Sequence, residues 1–179
     1  MTALQKKLVL HLMAKRRQQS INGFTLVELI IVVVIIGILA AIAIPAFDGA
    51  GIKAKQKEAS TAVASYAKAA QAYYQENTEI ADDAADLAQF IAISSCAGSK
   101  PSDCQGKKAV AVTSGKTWNL PSGLYGVTLS STADTTTFTA KPTSTFTGGL
   151  EVTGCFSKTS KTTQVYDQKS TTDTKKAAC

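Results

Sequence analysis

The sequence predicts an α+β protein in which one long N-terminal α-helix carries a C-terminal head built on an antiparallel β-sheet. Residues 29–44 contain no polar side chain, and in residues 52–76 apolar side chains recur at steps of three and four. From residue 107 onward, short alternating segments rich in Thr and Ser are separated by Pro and Gly. A chain of 179 residues has room for one such head.

The apolar segment is long enough to cross a membrane. Residues 24–44 span roughly 30 Å at helical rise, about the thickness of a bilayer core. Lipid offers the backbone no hydrogen-bonding partner, so this segment is predicted to be helical despite its β-branched residues. We place a hydrophobic transmembrane and assembly helix at 24–47 and a globular head at 48–179.

Charge is concentrated ahead of this segment. Residues 1–23 hold five of the 19 basic residues and no acidic one, so removing them lowers the formal net charge from +6 to +1. Basic flanks of membrane helices stay in the cytoplasm, which predicts that everything after the apolar segment is exported. His11, the only histidine, also lies in this leader, so the rest of the chain lacks the commonest general base and metal ligand.

Glu28 places a charged side chain near the start of the apolar segment. A carboxylate buried there without a partner costs on the order of 2–3 kcal/mol, and such residues usually mark function. Cleavage between Gly23 and Phe24 creates an amine four residues before Glu28, and the amine of one copy is a suitable partner for Glu28 of another. A buried pair of this kind adds little net stability but fixes the register of a polymer.

The string Gly23-Phe24-Thr25-Leu26-Val27-Glu28-Leu29, followed by the apolar run, resembles the prepilin signature of type IV pilins and type II secretion pseudopilins. The resemblance is specific over residues 23–45 and architectural beyond them. It implies the pilin fold, cleavage after Gly23 by a prepilin peptidase, N-methylation of Phe24, and Glu28 as the assembly residue. Gly37 and Pro45 match the family's helix-melting positions, and both are poor helix formers.

The resemblance also implies a function. The chain is expected in the inner membrane as a single-pass precursor and then in a retractile, homopolymeric type IV pilus (fimbrium) on the cell surface. An inner-membrane assembly platform and motor ATPases are the implied partners, and motility, cell adhesion and DNA uptake in natural competence are the implied roles. No cofactor and no enzymatic activity are expected.

Three alternatives compete with the major pilin. In the first, the chain is a type II secretion pseudopilin or a minor pilin. In the second, it is a monomeric, membrane-tethered binding protein. In the third, Ala41-Ile42-Ala43 is a secretory cleavage site, which leaves Ile44 as the first residue. Glu28 within the apolar entry and Pro45 just after the cut argue against this last route.

Within the head, residues 47–51 are predicted as a flexible joint and 52–76 as an amphipathic helix. A connector at 77–106 contains a short helix around 83–93, and the sheet and disulfide loop occupy 107–179. The candidate strands cover residues 109–113, 125–130, 136–140, 150–156 and 164–167.

The four cysteines, Cys96, Cys104, Cys155 and Cys179, all follow the apolar segment. An even number in an exported chain indicates disulfides, and three pairings are possible. We favour the pairing of neighbours, Cys96–Cys104 and Cys155–Cys179. The second of these resembles the surface loop at the C-terminus of pilins.

Other patterns are better explained without a ligand. The acids at 76, 79, 82, 83 and 86 suggest calcium, but solvated acids at a helix N-terminus explain them and no EF-hand pattern is present. Gly115-Lys116-Thr117 lacks the earlier glycine of a phosphate loop. The lysines at 158, 161, 169, 175 and 176 fit a solvated surface, with DNA capture as the alternative. Residues 130–147 and 157–174 are rich in acceptors for O-glycans.

Overall fold

A computed structural model describes residues 24–96, 104, 108–170, 172–175, 177 and 179. The predicted leader, residues 1–23 with Gly23, lies outside the described residues, as do parts of the predicted connector and Lys176 of the C-terminal basic set. The chain divides into two compact units, Met1–Ala46 and Phe47–Cys179.

Helix α1 runs over Leu26–Asn77, 52 residues, and includes Pro45 in its interior. Helicity continues through residues 47–51, so the joint predicted there does not interrupt the helix. Gly49 and Gly51 weaken a helix by about 1 kcal/mol each relative to Ala, a cost that does not break this helix, which continues into strong helix formers from Lys53 onward. In the second unit, the buried face of α1 is made of small and medium side chains: Ala59, Ser60, Val63, Tyr66, Ala67, Ala69 and Ala70.

The second unit contains a five-stranded antiparallel sheet. Its strands lie side by side in chain order, so that each strand pairs with its neighbour in sequence. The strands are β3 (Thr117–Asn119), β4 (Tyr125–Ser131), β5 (Thr135–Pro142), β6 (Val152–Ser157) and β7 (Thr162–Asp167). Together with the apolar helix, this sheet confirms the predicted α+β fold.

A second, two-stranded sheet joins β1 (Ser94–Cys96) to β2 (Ala109–Ala111). Sequence patterns predicted β2 but missed β1 and β3, which are three residues each and too short to show an alternation. The helix predicted around 83–93 is shorter than expected and covers only Ala84–Leu87, here α2.

The core of the head lies between α1 and the sheet. Tyr66 of α1 packs edge-on against Trp118 of β3, with ring centroids 5.4 Å apart, and against Phe138 of β5 at 5.8 Å. Tyr74, two turns further along α1, meets Phe156 of β6 at 5.4 Å. These aromatic contacts hold one helix face across the middle of the sheet.

Close approach of helix and sheet depends on a glycine in β6. A Cβ placed on Gly154 would lie 2.3 Å from Cγ1 of Val63 in α1. Val63 is fully buried, and as a β-branched residue in a helix it has one strongly preferred rotamer. The head therefore accepts no larger side chain at residue 154 without moving the helix.

The C-terminal segment covers the other face of the sheet. All six residues of β6 are buried, whereas an exposed strand would alternate. Cys155, which points away from α1, is joined to Cys179 with a Cα–Cα distance of 6.2 Å. Gln168 donates through Nε2 to the Asp173 carbonyl oxygen at 2.7 Å, and the Tyr166 hydroxyl bonds to the Asp173 carboxylate. The other disulfide joins Cys96 to Cys104, so the structure has the predicted pairing of neighbours.

We predict that Gly154→Ala destabilises the head by about 1–3 kcal/mol, because the added methyl overpacks the contact with Val63. Thermal or denaturant unfolding followed through the single tryptophan, Trp118, measures this change. Gly51→Ala is the matched control: no atom lies within 4 Å of the new Cβ, so this helical substitution is neutral or stabilising.

The contact itself is tested by a second substitution. Val63→Ala removes the methyl groups that the added methyl at residue 154 would meet, so the two substitutions together should cost less than the sum of their separate effects. Strict additivity would show that the glycine is required for another reason.

A second prediction concerns alkaline pH. Burial raises the pKa of Tyr125 to about 12. The hydroxyl donates to the Leu150 carbonyl oxygen at 3.2 Å. In the unfolded chain this group ionises near pH 10, so its stabilising contribution is complete below pH 10 and is lost as the pH rises towards 12. The pKa of Tyr66, also raised by burial, acts in the same direction.

Accordingly, the thermal midpoint of the head falls between pH 10 and 12, and Tyr125→Phe makes that fall shallower. Unfolding curves at pH 9, 10.5 and 11.5 for the two proteins give the comparison. Equal slopes would contradict the assignment to Tyr125.

Candidate assembly segment

The segment predicted to drive assembly begins at Phe24, whose side chain is 88% exposed. Thr25 precedes the first helical residue, Leu26, and Glu28 is the third residue of the helix. The Glu28 amide donates to Thr25 Oγ1 at 3.2 Å, and the Thr25 amide donates to Glu28 Oε2 at 2.9 Å. This reciprocal pair is a capping box, which satisfies two amides at the start of the helix.

Thr25 also holds the carboxylate of Glu28 directly, because its hydroxyl donates to Oε2 at 2.8 Å. The role of this threonine was not predicted from the sequence, although Thr-x-x-Glu before an apolar run is the signature of a capping box. Both Thr25 donors bond to the same carboxylate oxygen of Glu28, Oε2. They therefore leave the other oxygen, Oε1, available to accept from another donor.

The remainder of the segment is an apolar helical surface. From Phe24 to Phe47, the large apolar side chains are between 49% and 88% exposed. Helix α1 is long and apolar enough, by length and composition, to cross a membrane. Exposed apolar surface on this scale marks a membrane or protein–protein contact.

The two predicted helix-weakening residues lie inside this helix. A Cβ on Gly37 would meet no atom within 4 Å, so no contact within the chain requires a glycine there. Pro45 has no amide hydrogen, and its ring crowds the carbonyl group four residues earlier. Both positions lower the cost of opening the helix without disturbing a packed core.

Of the acids predicted to lie at a helix N-terminus, Asp82, Asp83 and Asp86 are engaged there in local structure, whereas Glu76 lies in the last turn of α1. Asp83 is the N-cap of α2, and its side chain accepts from the Ala85 amide. The Asp86 side chain accepts from the Asp83 amide, which completes a second capping box. Asp83 also accepts from the Gly115 amide at 2.9 Å, and Asp82 pairs with Lys116 at 2.6 Å. Hydrogen bonds from Lys116 and Ser131 lower the pKa of Asp82. Among the described residues, no cluster of three or more His, Cys, Asp or Glu side chains is arranged to hold a metal.

Comparison with known proteins agrees with the N-terminal geometry. Residues 19–44 match the family model described as the prokaryotic N-terminal methylation motif. This match covers the N-terminal segment alone; together with the relatives below, it supports a type IV pilin.

Several known proteins are similar to this chain. It is 46% identical over 66 residues to the type IV major pilin protein PilA of Myxococcus xanthus (strain DK1622), a match covering 37% of this chain and 30% of the relative. It is 44% identical over 63 residues to a fimbrial protein of Pseudomonas aeruginosa, covering 35% of this chain and 41% of the relative.

A third relative, the fimbrial protein EcpC of Eikenella corrodens, is 42% identical over 59 residues. That match covers 33% of this chain and 39% of the relative. The chain thus spans less than half the length of each of these relatives, and no solved structure matches it.

We predict that Pro45→Ala slows amide hydrogen exchange in residues 41–49 of the detergent-solubilised chain. Proline in a helix interior is about 3 kcal/mol less favourable than alanine, so the substitution removes the position at which the helix opens most easily. Gly49→Ala is the graded control, because it gains only about 1 kcal/mol and should slow exchange less. Exchange that is unchanged by Pro45→Ala would contradict a weakening role for this residue.

Proposed function

We propose that this chain is a type IV pilin, the structural subunit of a type IV pilus, with a structural rather than a catalytic role. In this proposal the chain is inserted in the inner membrane, cleaved after Gly23, N-methylated on Phe24 and polymerised into a retractile surface fibre. The observation that carries the proposal is the methylation motif at residues 19–44, which lies at the start of an exposed apolar helix.

One apolar surface serves both states of the chain in this proposal. In the membrane, the side chains between Phe24 and Phe47 face lipid. In the fibre, they face the same segment of neighbouring copies. Moving from lipid to a helical bundle exchanges one apolar environment for another, so association of the helices depends on packing and on polar contacts more than on the hydrophobic effect.

Glu28 supplies the polar contact. The two Thr25 donors hold one of its carboxylate oxygens, and we assign the other oxygen to the N-terminal amine of a neighbouring copy. That amine exists only after cleavage, because in the precursor the nitrogen of Phe24 is part of a peptide bond. Cleavage therefore permits assembly by creating the cation that Glu28 requires.

Partners and biological roles follow from the same proposal. A prepilin peptidase performs the cleavage and methylation, and an inner-membrane platform with motor ATPases extends and retracts the fibre. Motility, adhesion and DNA uptake stay predictions of the family resemblance.

The assembly role of Glu28 is tested by separating its charge from its capping function. Glu28→Gln keeps a side chain that a capping box accepts but removes the negative charge. Thr25→Ala removes the cap and keeps the charge. We expect Glu28→Gln to be inserted and cleaved normally, yet to lower the yield of sheared surface fibres by roughly tenfold or more, as expected for losing a buried charge pair.

Thr25→Ala should lower the fibre yield much less, because loss of a helix cap typically costs about 1 kcal/mol. Immunoblots of membranes and sheared fractions give both quantities. Wild-type fibre yield from Glu28→Gln would overturn the proposed role, and greater loss from Thr25→Ala would assign the effect to the cap.

A further inference from the structure

We propose that the head carries two complementary charged surfaces, one at each end of its helical stretch, which join successive copies of this chain along the fibre. The basic groove is formed by Lys53, Lys57 and Lys169 around an apolar floor. The acidic patch is formed by Glu76 and Glu79. This inference rests on the proposed function, because it concerns how heads meet within the fibre.

The basic groove lies where the first turns of the head's helical stretch meet the end of β7. Ile52 and Leu150 form its apolar floor, and the three lysines stand at its rim. A hydrogen bond joins the helix side of the groove to the segment after β7, because Gln56 donates through Nε2 to the Gln168 carbonyl oxygen at 3.1 Å.

The groove has an excess of positive charge. Asp167 also lines it, so three lysines oppose one carboxylate. The three lysines are exposed and form no ion pair with any acid of the described chain. Lys55, on the same stretch of α1, lies 5.4 Å from the centroid of the Phe146 ring and is engaged there.

The acidic patch lies at the opposite end of the helix, where α1 stops at Asn77. Glu76 is in the last turn, which contains no basic residue, so its negative charge faces the negative end of the helix dipole. Glu79 follows immediately beyond the helix and is likewise exposed. Unlike Asp82, which pairs with Lys116, these two acids have no cationic partner within the described part of the chain.

A single copy does not bring these two surfaces together. Lys57 of the basic groove and Glu76 of the acidic patch are separated along α1 by roughly 28 Å at helical rise. The partner is therefore a second copy, displaced by about that distance along the helix axis. An interface between two different surfaces of the same chain is heterologous, and without ring closure it repeats into a filament.

The experiment is a charge swap in cells that express the full chain as their only copy. The first variant carries Lys53→Glu with Lys57→Glu, the second carries Glu76→Lys with Glu79→Lys, and the third carries all four substitutions. We expect each double reversal to lower the yield of sheared fibres at low ionic strength several-fold, on the order of five- to tenfold. The fourfold variant should restore the yield to within about twofold of wild type, because the attraction is re-formed with its signs exchanged.

A matched control separates pairing from net charge. Lys68→Glu with Lys108→Glu makes the same change in charge at exposed lysines outside both surfaces. Adding Glu76→Lys and Glu79→Lys should restore the fibre yield of the basic-groove variant but not that of this control. Membrane levels of each processed chain, and the fluorescence of Trp118, show that every variant is made and folded.

Each outcome decides the inference. Restored fibre yield in the fourfold variant alone supports it. Added salt should reduce the differences in fibre yield between variants, because salt screens exposed charge pairs. Failure of rescue, equal rescue of the control, or wild-type yields from both reversals would overturn it. If only the lysine reversal lowers yield and also weakens binding to phosphatidylglycerol vesicles, the groove's occupant is an anionic lipid and the pairing is wrong.

The proposed function is judged separately from these variants. Wild-type fibres built of this chain support it whatever the reversals do. If wild-type cells make no such fibres, the proposed function fails and this inference fails with it.

Discussion

The constraint on which the rest of this protein depends is the apolar surface of residues 24–47. Its large side chains are at least 49% exposed, and water is an unfavourable environment for a surface of this kind. Such a surface belongs in lipid or against other protein. A helix is the form that suits both, because its backbone groups bond internally and leave only side chains to the surroundings.

The polar exceptions in this surface are placed where they cost least. Thr25 and Glu28 lie in the first turn, where they cap amides that the helix leaves without partners. Gly37 and Pro45 weaken the helix but add no charge. In the head, the opposite principle applies: contact between α1 and the sheet is so close that Gly154 has no space for a methyl group. The apolar segment is adaptable, and the head is tightly packed.

Much of this could be predicted from the sequence, because strong periodicity and unusual composition are local signals. The apolar run, the longer strands and the pairing of neighbouring cysteines are of this kind. What could not be predicted depends on contacts between distant residues. β1 and β3 are defined by their partners and not by their own three residues, and burial of Cys155 follows from the C-terminal segment that covers it. The continuity of α1 through residues 47–51 was missed because two glycines outweighed their helix-forming neighbours.

The intact mass of the chain in sheared surface fibres tests the central claim most directly. The account predicts residues 24–179, beginning with Phe24, heavier by one CH2 because methylation replaces a hydrogen with a methyl group, and lighter by four hydrogens for the two disulfides. A chain beginning at Ile44 would show secretory cleavage and contradict the account. So would a chain that keeps residues 1–23, or fibres in which this protein is only a trace component.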